Sequence, residues 1–347
     1  MSLRSVIFWA SQRSLVARGA LSVACGLASL IASCAPAVEP YVAPVLAPPP
    51  EGRGIQLRIS FEVPPGTEQQ RCWTFRLPTT RDLEVVRYEV AYNRGSHHMN
   101  LFRAIPSVEQ QARQSGVRLP EETGMAGPGV ECFNAIDFDR FDLVVGSQDT
   151  KLDWSLPQGV AYRLHANSLM ILQSHYVNGR TQATPGDRAE VLVNLWTAED
   201  PSTIRNHLGT MFANNRQLNI PPRSTNVPYS RGCDLPAGGT FIAMTGHFHS
   251  RGRTFTVWDS TDAVTPQNQC YRSANWAEPP FMVLDGREGR PSPVTVPRNG
   301  GLFYTCTFDN PGNTPITFGP HVEYEEHCNL FAYYYPVDPD ARARYCF

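Results

Sequence analysis

Apolar and polar side chains alternate with a period of two along several short runs of this chain. The clearest are Ile55-Gln56-Leu57-Arg58-Ile59-Ser60-Phe61, Leu83 to Tyr92, Val191 to Trp196 and Thr254-Phe255-Thr256-Val257-Trp258. Side chains on a strand point alternately to opposite faces, so each run predicts a strand with one face buried. The apolar run Leu169-Met170-Ile171-Leu172 predicts a buried strand, and Thr240-Phe241-Ile242-Ala243-Met244 has strand-like composition. Turn signals separate the runs: Pro64-Pro65-Gly66, Gly127-Pro128-Gly129, Gly238-Gly239, Asn299-Gly300-Gly301 and Asn310-Pro311-Gly312-Asn313. Helical periodicity is weak, and the best helix runs from Ser107 to Ser115, short and polar. Many short strands joined by Gly/Pro turns predict an all-β chain built from sandwiches. Glu199-Asp200-Pro201-Ser202 reads as a boundary dividing the folded body into two parts of similar length.

The N-terminal region follows another pattern. Arg4, Arg13 and Arg18 precede a short apolar stretch, Ala20 to Ala32, too short to span a bilayer comfortably. It ends in Leu30-Ile31-Ala32-Ser33-Cys34, which is similar to the bacterial lipobox and implies cleavage before Cys34 and lipidation of its thiol. Residues 35–50 are rich in proline and alanine and predict an extended tether, reaching on the order of 50 Å at ~3.1 Å per residue. The expected organisation is therefore a signal peptide over 1–33, a tether over 34–52 and two β-sandwich domains over 53–200 and 201–347. The chain's 347 residues suffice for two such cores. The expected location is the bacterial cell envelope, periplasm or outer membrane, with the membrane reached through a lipid anchor. The net charge of −2, with no basic patch, gives nucleic-acid binding no electrostatic support.

An exported chain meets an oxidising compartment, where disulfides form. Beyond Cys34 the cysteines are Cys72, Cys132, Cys233, Cys270, Cys306, Cys328 and Cys346, an odd number, so at least one is free or pairs outside the chain. No C-x-x-C pair occurs, which argues against a zinc ribbon or a thioredoxin-like centre.

Six of the nine histidines fall into four short clusters: His97-His98, His175, His247-Phe248-His249 and His327. Three imidazoles in each half point to two metal ions, with copper, zinc, iron and nickel all suited to the ligand type. In His247-Phe248-His249 the two imidazoles stand at i and i+2, on one face of a strand and at chelating distance from each other. His97 and His98 are adjacent and share a face only where the backbone is irregular, which Arg94-Gly95-Ser96 permits. His165 and His207 have no partners in sequence.

The order and flanking residues of the clusters resemble the copper type II, ascorbate-dependent monooxygenases, the family of peptidylglycine alpha-hydroxylating and dopamine beta-monooxygenases. Ser96-His97-His98-Met99, Leu172-Gln173-Ser174-His175-Tyr176, Gly246-His247-Phe248-His249 and Glu326-His327-Cys328-Asn329-Leu330 carry the resemblance, which spans roughly residue 55 to the C-terminus. It implies two tandem jelly-roll-type β-sandwiches. It assigns an electron-transfer copper to His97, His98 and His175, and an oxygen-binding copper to His247, His249 and the position of a family methionine. That position holds His327, with His321 as a nearby alternative. A third imidazole is harder than a thioether, favours Cu(II), and also suits zinc. The resemblance further implies the pairs Cys72–Cys132, Cys233–Cys346 and Cys306–Cys328, leaving Cys270 over. On the substrate side Asn329 is retained, but Thr245 stands where peptidylglycine enzymes place a carboxylate-gripping arginine, and Phe331 stands at a tyrosine position.

These features lead to a copper-dependent monooxygenase that hydroxylates a C–H bond of a small organic substrate. It would use O2, two copper ions per chain and ascorbate or another one-electron reductant, with an envelope electron donor as a further partner. The alternatives are a non-catalytic copper-binding envelope lipoprotein and a zinc-dependent hydrolase acting at the second three-histidine site.

Overall fold

A computed structural model describes residues 41–347 except 117, 134–135, 181–187, 236, 261–263 and 297–299. The expected signal peptide, Cys34 and the first part of the tether lie outside the described residues. Each alternating run is a strand: Gly54–Glu62, Leu83–Tyr92, Arg188–Thr197 and Gly252–Trp258. The two apolar runs open the strands Leu169–Asn178 and Thr240–His247. The helix covers Pro106–Ser115, with proline in its first turn, where no amide partner is lost, and Gly116 left-handed at φ 71° just past its end.

The strands form an all-β sandwich. A long mixed sheet runs in the order Gly54–Glu62, Arg188–Thr197, Leu83–Tyr92, Val160–Leu164, Asn206–Asn214, Asn329–Val337, Thr240–His247 and Met282–Val283. A five-stranded sheet packs against its first half, with Thr67–Arg76, Leu169–Asn178, Ser96–Ala104 and Phe141–Ser147 in that order after the short strand Val130–Glu131. A four-stranded sheet, Ser224–Asp234, Gly301–Asn310, Gly252–Trp258 and Gln269–Ser273, covers the second half.

Two apolar cores result. The first holds Leu57, Trp73, Tyr88, Leu101, Trp154 and Val193; the second holds Met211, Phe241, Phe255, Tyr304, Phe308 and Leu330. The expected division at 200/201 falls at a single 3-10 turn, Pro201–Thr203. The hydrogen bonding nevertheless continues past it, because Val160–Leu164 pairs in parallel with Asn206–Asn214. From residue 40 onward the chain forms one compact unit. Three disulfides, Cys72–Cys132, Cys233–Cys346 and Cys306–Cys328, leave Cys270 as a buried free thiol.

The outer face of the five-stranded sheet is also buried. A third apolar cluster there joins Phe102, Ile171 and Leu169 to Ile136 and Phe141, with Phe331 of the second half packed against it. Alternation dictates what else that face carries. If Phe102 and Ile171 point outward, so do Asn100 and His98 on one strand and Gln173 and His175 on its neighbour. The register places Asn100 opposite Gln173 and His98 opposite His175.

Candidate metal centre

His97 and His98 reach the same side because the strand is irregular there. Ser96 pairs with Tyr176 and His98 with His175, so two residues of one strand face a single step of the other. That extra residue is a β-bulge, which re-aims a side chain that a regular strand would turn inward. Gly95 makes the approach possible. Its φ is 95°, and a Cβ there would lie 2.6 Å from the Tyr176 ring.

The second half supplies a matching face. His247 closes the strand Thr240–His247 opposite Asn329, and Asn329 lies opposite Asn214 one strand further on. Two residues back, Thr245, Phe331 and Phe212 form the next row across the same strands. His249 follows the strand end and is fully buried. His327 precedes Asn329–Val337 and is adjacent to the Cys306–Cys328 disulfide, which anchors that position to strand Gly301–Asn310.

These faces meet, and all six clustered histidines come together. The His97 ring centre lies 5.0 Å from His247, 5.2 Å from His175, 5.3 Å from His249 and 5.4 Å from His98. His98 and His247 are 5.1 Å apart, and His249 and His327 4.4 Å apart. The imidazoles are thus a single continuous cluster. Ring nitrogens of His97, His247 and His249 lie within 4.8 Å of one another, a trio drawn from both halves. His321 stands at its edge, with Nδ1 3.6 Å from Glu68. His165 and His207 are elsewhere, engaged with Asp82 and Asp340 and with Glu84 respectively.

Burial keeps the cluster uncharged. Removal from water pushes His97, His98, His247 and His327 well below the ordinary imidazole range and His249 down to about 3. Neighbouring imidazoles push His97 and His247 in the same direction. His175 is also lowered by burial, and its hydrogen bond to Glu68 offsets part of that effect. His327 is half-buried only because it lines the cavity described below. Neutral imidazoles keep a lone pair for a metal ion.

Three side chains that the sequence motifs did not single out set the orientation. Glu68 Oε1 is 2.7 Å from His175 Nε2; the carboxylate accepts, so that nitrogen carries the proton and Nδ1 keeps its lone pair toward His98 Nε2, 3.3 Å away. Glu68 also accepts Val322 N–H at 2.9 Å, tying the two halves together. Burial pushes this carboxyl up, but the bonds from His175 and Val322 outweigh it and the net shift is downward.

Glu326 is fully buried and accepts three backbone N–H groups, from His249 at 2.8 Å, Arg251 at 2.6 Å and His327 at 3.3 Å. Burial nonetheless pushes its carboxyl up to about 8. Gln148 touches an imidazole from each half, 2.7 Å from His247 Nδ1 and 3.3 Å from His97 Nδ1. Of the three, Glu326 had a faint sequence signal, standing next to His327.

The fit to a metal ion rests on unpartnered nitrogens. His249 Nδ1–H donates to the Glu325 carbonyl at 3.0 Å, which leaves a lone pair on Nε2. That Nε2, like His97 Nε2, is buried without a hydrogen-bond partner. Buried polar atoms are almost always satisfied, and two orphans in one imidazole cluster are compatible with a bound ion. The set is nitrogen-only and neutral, which suits copper or zinc.

A cavity of about 350 Å³ opens beside the cluster. His98, His247 and His327 line one end, the amides Asn100, Gln173, Asn214 and Asn329 the middle, and Phe102, Phe138, Phe212 and Phe331 much of the rest. Both facing sheets run from imidazole through amide to phenyl along their rows. Among the described residues no carboxylate lines the cavity, and Arg216 is the one arginine that does.

The chain is 22% identical over 306 residues to peptidyl-glycine alpha-amidating monooxygenase A of Xenopus laevis. The match covers 84% of this chain and 29% of that protein's length. It suggests a distant relationship to that family. No family model matches the chain. Among solved structures, the capsid of broad bean stain virus superposes with a TM-score of 0.32 at 10% identity, covering 85% of this chain and 94% of that one. The major capsid protein P2 of bacteriophage PM2 gives 0.29 at 8% identity, covering 82% and 98%. Such scores carry no argument.

Proposed function

We propose that this protein is a copper-dependent monooxygenase that converts a C–H bond of a small organic molecule to C–OH. The overall reaction takes one O2, two electrons and two protons and returns the alcohol and one water. The observation that carries the reading is a cluster of six uncharged imidazoles, five of them buried and His327 half-buried, at one end of a cavity walled by amides and phenyl rings. The distant monooxygenase relative supports it. Bound copper would supply one-electron chemistry and a site for O2, which no protein side chain offers.

The chain's own residues hold and exclude. Glu68 orients His175, Glu326 holds the backbone at His249 and His327, and Gln148 links His97 to His247. The phenyl groups bury an apolar substrate body, and the four amides offer hydrogen bonds that fix its orientation. Thr245, and not an arginine, stands in the row beside Phe331, two residues before His247, so a peptidylglycine is not the substrate we propose.

Zinc-dependent hydrolysis is less well supported. It needs a carboxylate free to take a proton from water. Glu68 and Glu326 are both committed to hydrogen bonds, and among the described residues no acidic side chain lines the cavity.

We further propose that the protein is a lipoprotein of the bacterial envelope, anchored at Cys34, with ascorbate or an envelope donor as reductant. Among the described residues no helix is long and apolar enough to cross a membrane. The deciding experiment loads the purified protein with copper and measures O2 uptake with ascorbate across a panel of apolar substrates. Substrate-dependent uptake that His249→Ala abolishes is expected. Tight zinc binding with no copper uptake, or copper binding without turnover under any reductant, would overturn the reading.

A further inference from the structure

Two independent three-histidine sites, one per half, would place His97 with His98 and His175, and His249 with His247 and His327. The geometry points to a different partition: we infer that one metal ion is shared between the halves, held by His97 together with His247 and His249. The inference rests on reading the cluster as a copper site.

Three observations carry it. The ring nitrogens of these three residues lie within 4.8 Å of one another. His97 lies 5.0 to 5.4 Å from four other imidazoles, two of them in the second half, so it bridges the halves. The two imidazole nitrogens left buried without a hydrogen bond, His97 Nε2 and His249 Nε2, belong to this trio, one in each half. Outside the trio, His98 meets His175 at 3.3 Å, and His327 stands against the trio through His247, 2.9 Å away. A second ion held by His98 and His175 would replace the contact between them.

The bulge explains how a first-half residue comes to serve a second-half site. It turns His97 out of the sheet beside His98 and toward the end of strand Thr240–His247. Gln148, bonded to both His97 and His247, holds the two imidazoles across the junction.

A shared ion has a consequence that separate sites do not. Removing a ligand from either half should empty the same position. The test measures copper stoichiometry by equilibrium dialysis and metal analysis in wild type, His97→Ala, His249→Ala and the double variant, with circular dichroism to confirm folding. Each single variant should lose the same one equivalent, with the same residual Cu(II) EPR spectrum, and the double variant should lose no more. Loss of two equivalents in the double variant, with different residual spectra in the singles, would mean separate sites and overturn the inference while leaving the copper reading intact. A wild type that binds no copper would overturn the copper reading itself. Wild-type protein provides a second measurement in case the variants do not fold. Two Cu(II) ions in one cluster should broaden each other's EPR signal and give a half-field transition, whereas two isolated signals at full loading would refute sharing.

Discussion

Acid should dismantle the metal-free protein over a narrow pH interval. The six clustered imidazoles are all held below their ordinary value of 6.5 by burial, so the native state excludes protons that the unfolded chain accepts. The unfolded state therefore binds more protons below pH 6.5, and stability is lost as pH falls through that value. Over the unit from pH 6.5 to 5.5, each imidazole left neutral costs about 1 kcal/mol, because the unfolded group is already half protonated at 6.5, so six cost at most about 6 kcal/mol. His175 contributes least, because Glu68 offsets part of its shift. Glu326 works in the opposite sense. Its carboxyl is pushed up from 4.5 to about 8, so the folded state holds a proton that the unfolded chain gives up. That group returns about 1 kcal/mol over the same unit, which leaves a net loss of about 5 kcal/mol. Domains are typically stable by ~5–15 kcal/mol, so a third or more of the margin should disappear between about pH 6.5 and 5.5. The assay is urea denaturation of metal-free protein at half-unit steps from pH 5 to 8. The slope of stability against pH gives the number of protons taken up on unfolding. Three to five protons are expected, six imidazoles gaining and Glu326 losing one, and bound copper should shift the loss to lower pH because metal and proton compete for the same nitrogens. A slope corresponding to fewer than two protons would refute the buried neutral cluster.

Gly95→Ala should destabilise the fold by about 1–3 kcal/mol and lower copper uptake, since its φ of 95° and the Tyr176 ring leave no room for a Cβ; an unchanged melting temperature and stoichiometry would show that the bulge does not depend on this glycine. Replacing Cys306 and Cys328 together by serine opens a link 22 residues apart and should cost about 3 kcal/mol while weakening copper near His327. Denaturant titration and copper affinity check this, and an effect on neither would deny the disulfide a bracing role. With the ion held by His97, His247 and His249, His327→Met should leave the copper reduction potential unchanged; a rise in redox titration, as a thioether favouring Cu(I) would give, would show that His327 is a ligand.

Local rules account for what the sequence determined by itself. Strand positions follow from alternation, because the two faces of a strand meet different solvents, and the helix over Pro106–Ser115 follows from its local chemistry. His247 and His249 were readable as a pair at i and i+2, and the irregularity at His97-His98 was signalled by Arg94-Gly95-Ser96. Only the tertiary structure decided how these pieces meet. Glu68 and His175 are 107 positions apart, Gln148 and His247 are 99 apart, and His247 and His327 are 80 apart. Such contacts depend on strand order and register, which are global properties of the packed sheets and leave no periodic trace along the chain. The division into three imidazoles per half was a statement about chain order. Bringing the outer face of one sheet against the strand ends of another merged them into one cluster. The same packing buried that cluster, and burial is what strips its protons and leaves its lone pairs for a metal ion.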